Sequence, residues 1–246
     1  MNEDLIRRAE DLLARCDRTC IPTSTSFLTP AEQAELQQWA RSRAGCRMVL
    51  RGGAADCERK AAFFLPDYLE DIDEAEAICA LRAVAGFGTP GHRDYLGAVM
   101  GLGIRRDFLG DIRIFENTAY LFCLPSVAPH LLASLDKVGR CGVRVEQIDL
   151  SAVPAEERRV RARTVTVQSL RFDVVVAGIF GISRTHAVTQ IRAGLAERNY
   201  LPCLKPDAPV EEGDIITLRG HGKGTLAEIG GQSRKGRIFL RVEQYL

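Results

Sequence analysis

The sequence predicts an α+β protein, and three patterns carry that prediction. Residues 76–150 switch between strand-like and helix-like spacing in the order β-α-β-β-α-β, the split-βαβ plan. Residues 164–246 read as two helices followed by short strands. The first 75 residues form an N-terminal α/β region that is mainly helical. At 246 residues, 46% hydrophobic and 26% charged, the chain has an ordinary globular composition, which excludes wholesale disorder and fibrous structure. Its length points to more than one domain.

Taken in order, Leu5, Ile6, Ala9, Leu12 and Leu13 recur at helical spacing through about Arg18. Thr29-Pro30-Ala31-Glu32 is a capping box with proline at the first helical position, opening a helix expected to reach about Arg43. Cys46–Leu50 reads as a short strand broken by Gly52-Gly53, and the stretch from Glu58 to Leu65 stops at Pro66. In the second segment, Ile78–Phe87 is a strand and Asp94–Leu102 a helix. Asp111–Glu116 and Ala119–Leu124 are strands around the Asn117-Thr118 turn, Val127–Val138 has helical spacing, and Val143–Leu150 alternates as a strand. Tyr120 and Phe122 fall on one face of the third of these strands, and core packing under the helices is favoured over stacking on bases. Ser151–Arg163, with Pro154, Arg158, Arg159, Arg161 and Arg163, reads as a basic linker. Thr164–Leu170 then leads into helices at Phe172–Ile179 and Ser183–Gly194, the second capped by Ser183. Strands are expected at Leu195–Glu197, Asp214–Arg219, Thr225–Ile229 and Arg237–Val242. The expected division is therefore 1–75, 76–150, a linker at 151–163, and 164–246.

The longest unbroken apolar run, Val174–Ile182, has nine residues, whereas a membrane-spanning helix needs about 20. The first residues carry acids and no apolar stretch of signal-peptide type, so a cytoplasmic location is expected. Eight cysteines show no C-x-x-C spacing; they are expected to be reduced small apolar residues, with no metal bound. The formal net charge of +1 hides an asymmetry: residues 1–157 hold 18 Lys/Arg against 24 Asp/Glu, and residues 158–246 hold 15 against 8. A basic C-terminal part on an acidic body fits a polyanionic partner.

Gly86-Phe87-Gly88-Thr89-Pro90-Gly91 matches the dinucleotide fingerprint literally. Proline between the second and third glycines, and the absence of a doubly wound pattern, argue against a nucleotide cofactor. His92-Arg93-Asp94 and the nearby Arg105-Arg106 could suggest catalysis, but residues two apart on a helix do not face each other. No nucleophile elbow, P-loop or H-E-x-x-H motif accompanies them. They read as structural, or as a secondary RNA site, and no catalytic residue is assigned.

The informative constellation is C-terminal. Arg171-Phe172-Asp173 opens one helix; Gly181-Ile182-Ser183-Arg184-Thr185-His186 turns into the next. A serine-capped helix start leaves backbone N–H groups where a phosphate oxygen sits well, and Arg184, Thr185 and His186 add donors at that end. Arg171 could converge on them, with Asp173 orienting an arginine. Gln190 and Arg192 flank the patch. Arg219, Lys223 and the basic turn Arg234-Lys235-Gly236-Arg237 would extend it.

Together these residues resemble the S-four (αL) RNA-binding domain, over about Arg171–Val242. The most specific pieces are Arg171-x-Asp173, Ser183-Arg184, Gly194 and Gly213-Asp214. The whole chain resembles the bacterial YlmH family. That likeness rests on Thr25-x-Phe27-Leu28-x-Pro30, Gly52-Gly53 with Glu58-Arg59-Lys60, and His92-Arg93-Asp94-Tyr95-Leu96-Gly97. It continues through Gly101-Leu102-Gly103-Ile104-Arg105-Arg106, Gly110-Asp111-Ile112, Arg219-Gly220 and Arg234-Lys235-Gly236-Arg237. The resemblance implies a central ferredoxin/RRM-like domain and a C-terminal S-four domain. It further implies a non-catalytic RNA-binding protein that meets rRNA and tRNA on the large ribosomal subunit carrying peptidyl-tRNA, in rescue of stalled translation. Two departures from the family pattern are His186 and the stretch Asn199–Val210 with its three prolines. No cofactor, small-molecule substrate or membrane partner is expected, and the chain is expected to be a monomer. The alternatives are an rRNA- or tRNA-modifying enzyme or assembly factor that uses the S-four domain for grip, and a cell-division adaptor.

Overall fold

The computed structural model describes residues 2–155, 160–234 and 236–245. The chain forms two compact units, Met1–Glu156 and Glu157–Leu246. Both mix helices with antiparallel sheet, so the α+β class holds.

The first unit begins with α1 (Glu3–Thr19), β1 (Thr23–Leu28), α2 (Pro30–Arg41), β2 (Met48–Arg51) and β3 (Lys60–Phe64). Helix α1 starts where the Asn2 side chain accepts from Leu5 N, and it buries Leu5, Ala9 and Cys16. These pack with Leu28, Leu36, Trp39 and Phe64, each large apolar side chain contributing roughly 1.5–3 kcal/mol by leaving water. The capping box forms: Thr29 Oγ1 accepts from Glu32 N at 3.3 Å, and Glu32 Oε2 accepts from Thr29 N at 2.7 Å.

Between and after its two long helices the N-terminal region also forms a three-stranded sheet in the order β1-β3-β2, of which the sequence suggested only the strand near Cys46–Leu50. Strand β1 was hidden by its polar text, Thr23-Ser24-Thr25-Ser26. Thr25 is buried because its hydroxyl accepts from Ala62 N of β3 and donates to Ser26 O. A bulge between Ser24 and Phe27 absorbs the broken alternation.

After a short helix α3 (Glu74–Ala77) come β4 (Cys79–Ala85), α4 (His92–Gly101), β5 (Leu109–Phe115), β6 (Thr118–Cys123), α5 (Ala128–Ser134), β7 (Lys137–Val138) and β8 (Cys141–Ile148). The sheet runs β5-β6-β4-β8-β7 and is antiparallel throughout. The predicted β-α-β-β-α-β order is present. Helical spacing through Val138 overran the helix, however: α5 stops at Ser134, and Lys137-Val138 pair with Cys141-Gly142 around Gly139, whose φ is +59°.

Leu81, Ala83 and Leu121 meet Tyr95, Val99 and Leu131 under the helices. Phe122 lies on the other face, so packing beneath the helices is the wrong side for it. It is fully buried with Ala80 against Phe27, Cys57 and Ile78. The N-terminal region thus covers part of the sheet face that a base-stacking module would leave open. The approach is close enough that Gly53, at φ +96°, could not carry a Cβ: that atom would sit 2.3 Å from the Phe122 ring. Arg113 seals the same region, stacked 5.2 Å over Phe122 and paired with Asp56 at 2.6 Å.

The second unit comprises β9 (Val160–Val167), α6 (Phe172–Phe180), α7 (Arg184–Arg192), β10 (Ala196–Arg198), β11 (Leu201–Pro202), β12 (Ile215–Leu218), β13 (Gly222–Gln232) and β14 (Ile238–Tyr245). Its sheet runs β11-β10-β12-β13-β14-β9. Val167, Leu226, Leu240 and Val242 face Phe172, Val175, Val176 and Ile179 of α6 and Ala187 and Ile191 of α7. The expected linker at 151–163 is corrected at its end. Residues 160–163 belong to β9, which pairs with β14 along its whole length from Val160↔Tyr245 to Val167↔Ile238. The alternation Val-Arg-Ala-Arg-Thr-Val-Thr-Val is a strand pattern that the arginines disguised. Arg158 and Arg159 lie outside the described residues.

All eight cysteines are free. Among the described residues no single helix is long and apolar enough to cross a membrane.

Candidate nucleic-acid interface

Helix α6 ends at Gly181, whose φ of +68° turns the chain. Two residues later Ser183 caps α7, accepting from His186 N at 3.2 Å. The two helices meet at 113°, and that bend brings the first turns of both to one place. There Asp173 is 1% exposed and binds two arginines. Its Oδ1 accepts from Arg171 Nε at 3.1 Å, and its Oδ2 accepts from Arg184 Nε at 2.9 Å. Burial by itself raises the Asp173 pKa, but the hydrogen bonds and charges of Arg171 and Arg184 outweigh it and hold the carboxyl below its ordinary value. Both arginine side chains remain about half exposed, at 43% and 55%. The result is a pair of oriented, partly solvated cations beside the exposed Ser183, Thr185 and His186.

The start of α6 is not free in the same way. Phe172 N donates to Ala208 O and Asp173 N to Pro206 O, at 2.9 and 2.8 Å. The proline-rich stretch after the second helix therefore has a structural use: it closes the first turn of α6 and bridges Arg171 to Pro209. Its beginning folds into the β10–β11 hairpin, with Asn199 and Tyr200 both at positive φ in the turn.

The structure groups some predicted residues and separates others. Arg171, Ser183, Arg184, Thr185 and His186 converge, and Gln190 sits one turn on, its amide nitrogen 3.1 Å from His186 Nε2. Arg192 is in the last turn of α7, about 13 Å along the helix from the cap. Arg219 is exposed in the turn before β13. Lys223 alternates with the core-facing Gly224 on β13, so it points to the opposite sheet face, where its ammonium lies 4.9 Å from the Tyr245 ring centre and 5.5 Å from that of Tyr200. Arg234 and Arg237 flank the β13–β14 turn, at the far end of the 11-residue β13 from His221, on the order of 30 Å away. Lys235 lies outside the described residues.

Sequence reasoning missed His221. Its ring lies 6.2 Å from those of both His186 and Phe180, which places the β12–β13 turn against the start of α7. Arg163, read as part of a linker, instead donates to Gly178 O near the end of α6, at 3.1 Å. An arginine alternating with valines in a strand was the available signal.

The secondary group does not assemble into a catalytic arrangement. His92 opens α4, and Asp94 Oδ2 accepts from Gly91 N at 2.8 Å as a helix cap. Arg93 is exposed. Arg105 pairs with Asp107, while Arg106 donates to Leu109 O and Gly110 O. The glycine fingerprint joins β4 to α4 on an antiparallel sheet, which lacks the parallel crossover a dinucleotide fold needs. Among the described residues, no three His, Cys, Asp or Glu side chains converge as a metal site would require.

Residues 73–152, which hold the five-stranded sheet, match a family model described as “Putative RNA-binding domain in YlmH”. Over 222 residues the chain is 34% identical to the ribosome-associated protein quality control protein P2 of Bacillus subtilis (strain 168), covering 89% of this chain and 86% of that protein. Among solved structures it is similar to the cell division protein YlmH from Streptococcus pneumoniae, with a TM-score of 0.55 at 19% identity, over 61% of this chain and 92% of that one. The last likeness is one of fold.

Proposed function

This chain belongs to the YlmH family, and from that premise we propose that it is a non-catalytic RNA-binding protein of ribosome-associated quality control. In this reading the Glu157–Leu246 unit is an S-four-type domain that holds rRNA and tRNA on the large ribosomal subunit. The observation that carries the proposal is the Asp173 clamp, which presents Arg171 and Arg184 beside a serine-capped helix start. Oriented guanidinium forks and helix-start N–H groups suit phosphate oxygens. Helical RNA hides its base edges in a deep groove, so recognition would be of backbone and shape. His186, His221 and Gln190 supply further donors at the same place.

The test is co-sedimentation of the full chain with large ribosomal subunits, with and without peptidyl-tRNA, for wild type and the Arg171→Ala/Arg184→Ala double variant. The expected outcome is preferential binding to subunits carrying peptidyl-tRNA, lost in the double variant. Binding indifferent to tRNA would move the role to ribosome assembly. Binding unchanged by the double variant would reject this surface, and no binding at low salt would reject the RNA-binding reading.

A further inference from the structure

Five short stretches from the first unit meet at one cleft of about 410 Å³: Ser26–Thr29 on β1 and its exit, Glu32 in the first turn of α2, Arg59 just before β3, Arg106-Asp107 before β5, and the first residues of α1. The S-four reading uses none of them. Three arginines, the exposed Arg8 and the more deeply set Arg59 and Arg106, line the cleft together with Asp4, Glu32 and Asp107, and the surroundings of Arg59 and Arg106 are unusual for cations. Both are half-buried, yet among the described residues neither has a carboxylate oxygen within 4.0 Å. Arg59 spends one N–H on Phe27 O at 2.9 Å, and its Nε is buried without any acceptor. Arg106 spends Nη1 on the carbonyls of Leu109 and Gly110. A guanidinium has five N–H donors, so most of the donors on both side chains have no protein acceptor among the described residues.

The nearby acids are committed elsewhere. Glu32 closes the α2 capping box with Thr29. Asp107 accepts from Ser26 and Arg105, and Asp4 pairs with Arg7. Asp111 accepts from the backbone N–H groups of Glu58 and Arg59 at 2.6 and 3.0 Å, which fixes where Arg59 leaves the chain. Gly110 allows this assembly to close, since a Cβ there would fall 2.8 Å from the Phe27 ring. Burial lowers the proton affinity of both arginines; the charges of Glu32, Asp111 and Asp107 oppose it at Arg59, while at Arg106 the positive charge of Arg59 lowers it further and Asp111 opposes it. These carboxylates act from a distance and none pairs directly with either guanidinium, so an anion held in the cleft would add a close counter-charge to two half-buried like charges.

We infer that this cleft is an anion site in which Arg59 and Arg106 clamp a phosphate group carried by a nucleotide or by an RNA backbone. Planar guanidinium forks match the tetrahedral oxyanion, and the cleft is larger than a bare phosphate fills. This goes beyond the S-four surface and shares no residue with it.

The test is a titration of the isotope-labelled full chain at constant ionic strength, following the backbone amides of Phe27, Arg59 and Gly110 by NMR. The probes are inorganic phosphate, ATP and a short single-stranded oligoribonucleotide. Wild type should show saturable shifts at those amides, and Arg59→Gln should weaken the response by about tenfold or more, the size expected for losing a charge-assisted contact. Arg106→Lys keeps the charge without the fork; it should bind more weakly than wild type, and it serves as the test if Arg59→Gln fails to fold. Tighter response to the oligoribonucleotide than to ATP assigns the phosphate to an RNA backbone, and the reverse order assigns it to a nucleotide. Shifts confined to the Ser183–His186 amides, no saturable shift with any probe, or wild-type response in both variants would overturn the inference. Because the two sites report through different amides, failure here is separable from failure of the S-four reading.

Discussion

Asp173 holds two arginines with one carboxylate, and its removal has two separable consequences. Asp173→Asn keeps the volume but gives up the charge that Arg171 and Arg184 share, at a cost of about 1–2 kcal/mol. That is the lower end for charged hydrogen bonds, because both arginines are partly screened by water. Its folded pKa is depressed, so the stabilisation is fully present above the ordinary carboxylate pKa of about 4 and is lost as pH falls through the lower folded value. Chemical denaturation should therefore show a wild-type advantage that is flat from pH 7 to about pH 5 and shrinks below about pH 4. RNA affinity at neutral pH should fall severalfold in the same variant, because the arginines keep their charge but lose their aim. An unchanged affinity would mean that orientation by Asp173 is irrelevant to binding.

At the scale of the element, the start of α7 is a helix cap and, in the proposed function, also a phosphate seat, and substitutions can divide the two. Ser183→Ala removes the bond to His186 N and should cost about 1 kcal/mol of stability. Ser183→Asp keeps the cap and suits the helix dipole, so its melting temperature should match wild type. The added carboxylate would occupy and repel the phosphate, lowering RNA affinity by about tenfold or more. Equal affinity for Ser183→Asp and wild type would place RNA elsewhere. This cap, like the Thr29 capping box, was legible in the sequence because capping is local chemistry between residues three apart. The β-α-β-β-α-β rhythm was legible for the same reason, as side-chain period follows backbone geometry. What stayed hidden depends on partners far along the chain. Strand β1 is held by Thr25 reaching Ala62, and the burial of Phe122 depends on Phe27 of β1 and on Gly53 in the loop after β2. Basic residues invite grouping by charge, yet the length of β13 puts Arg234 and Arg237 far from the α7 start, and the strand's alternation turns Lys223 to the other face.

For the whole molecule, the charge asymmetry sets how binding should respond to salt. Residues 158–246 hold 15 Lys/Arg against 8 Asp/Glu, and in the proposed function the α7 patch with its neighbours would neutralise about five phosphates. Counterion release then weakens binding by a few hundred-fold when salt rises from ~50 to ~200 mM. A change of less than about tenfold in a filter-binding or anisotropy assay would contradict a phosphate-dominated interface. The ladder between β9 and β14 has a consequence of another kind. The first strand of the second unit is zipped to its last, from Val160↔Tyr245 to Val167↔Ile238, while α6 and α7 lie between them in sequence. During synthesis β9 must wait, unpaired, until nearly every other part of the unit exists. A chain cut short before Ile238 would leave two long strand edges, on β9 and β13, open to other strands. The unit thus completes its sheet only when β14 has been made, so an incomplete copy exposes itself through the edges it fails to hide.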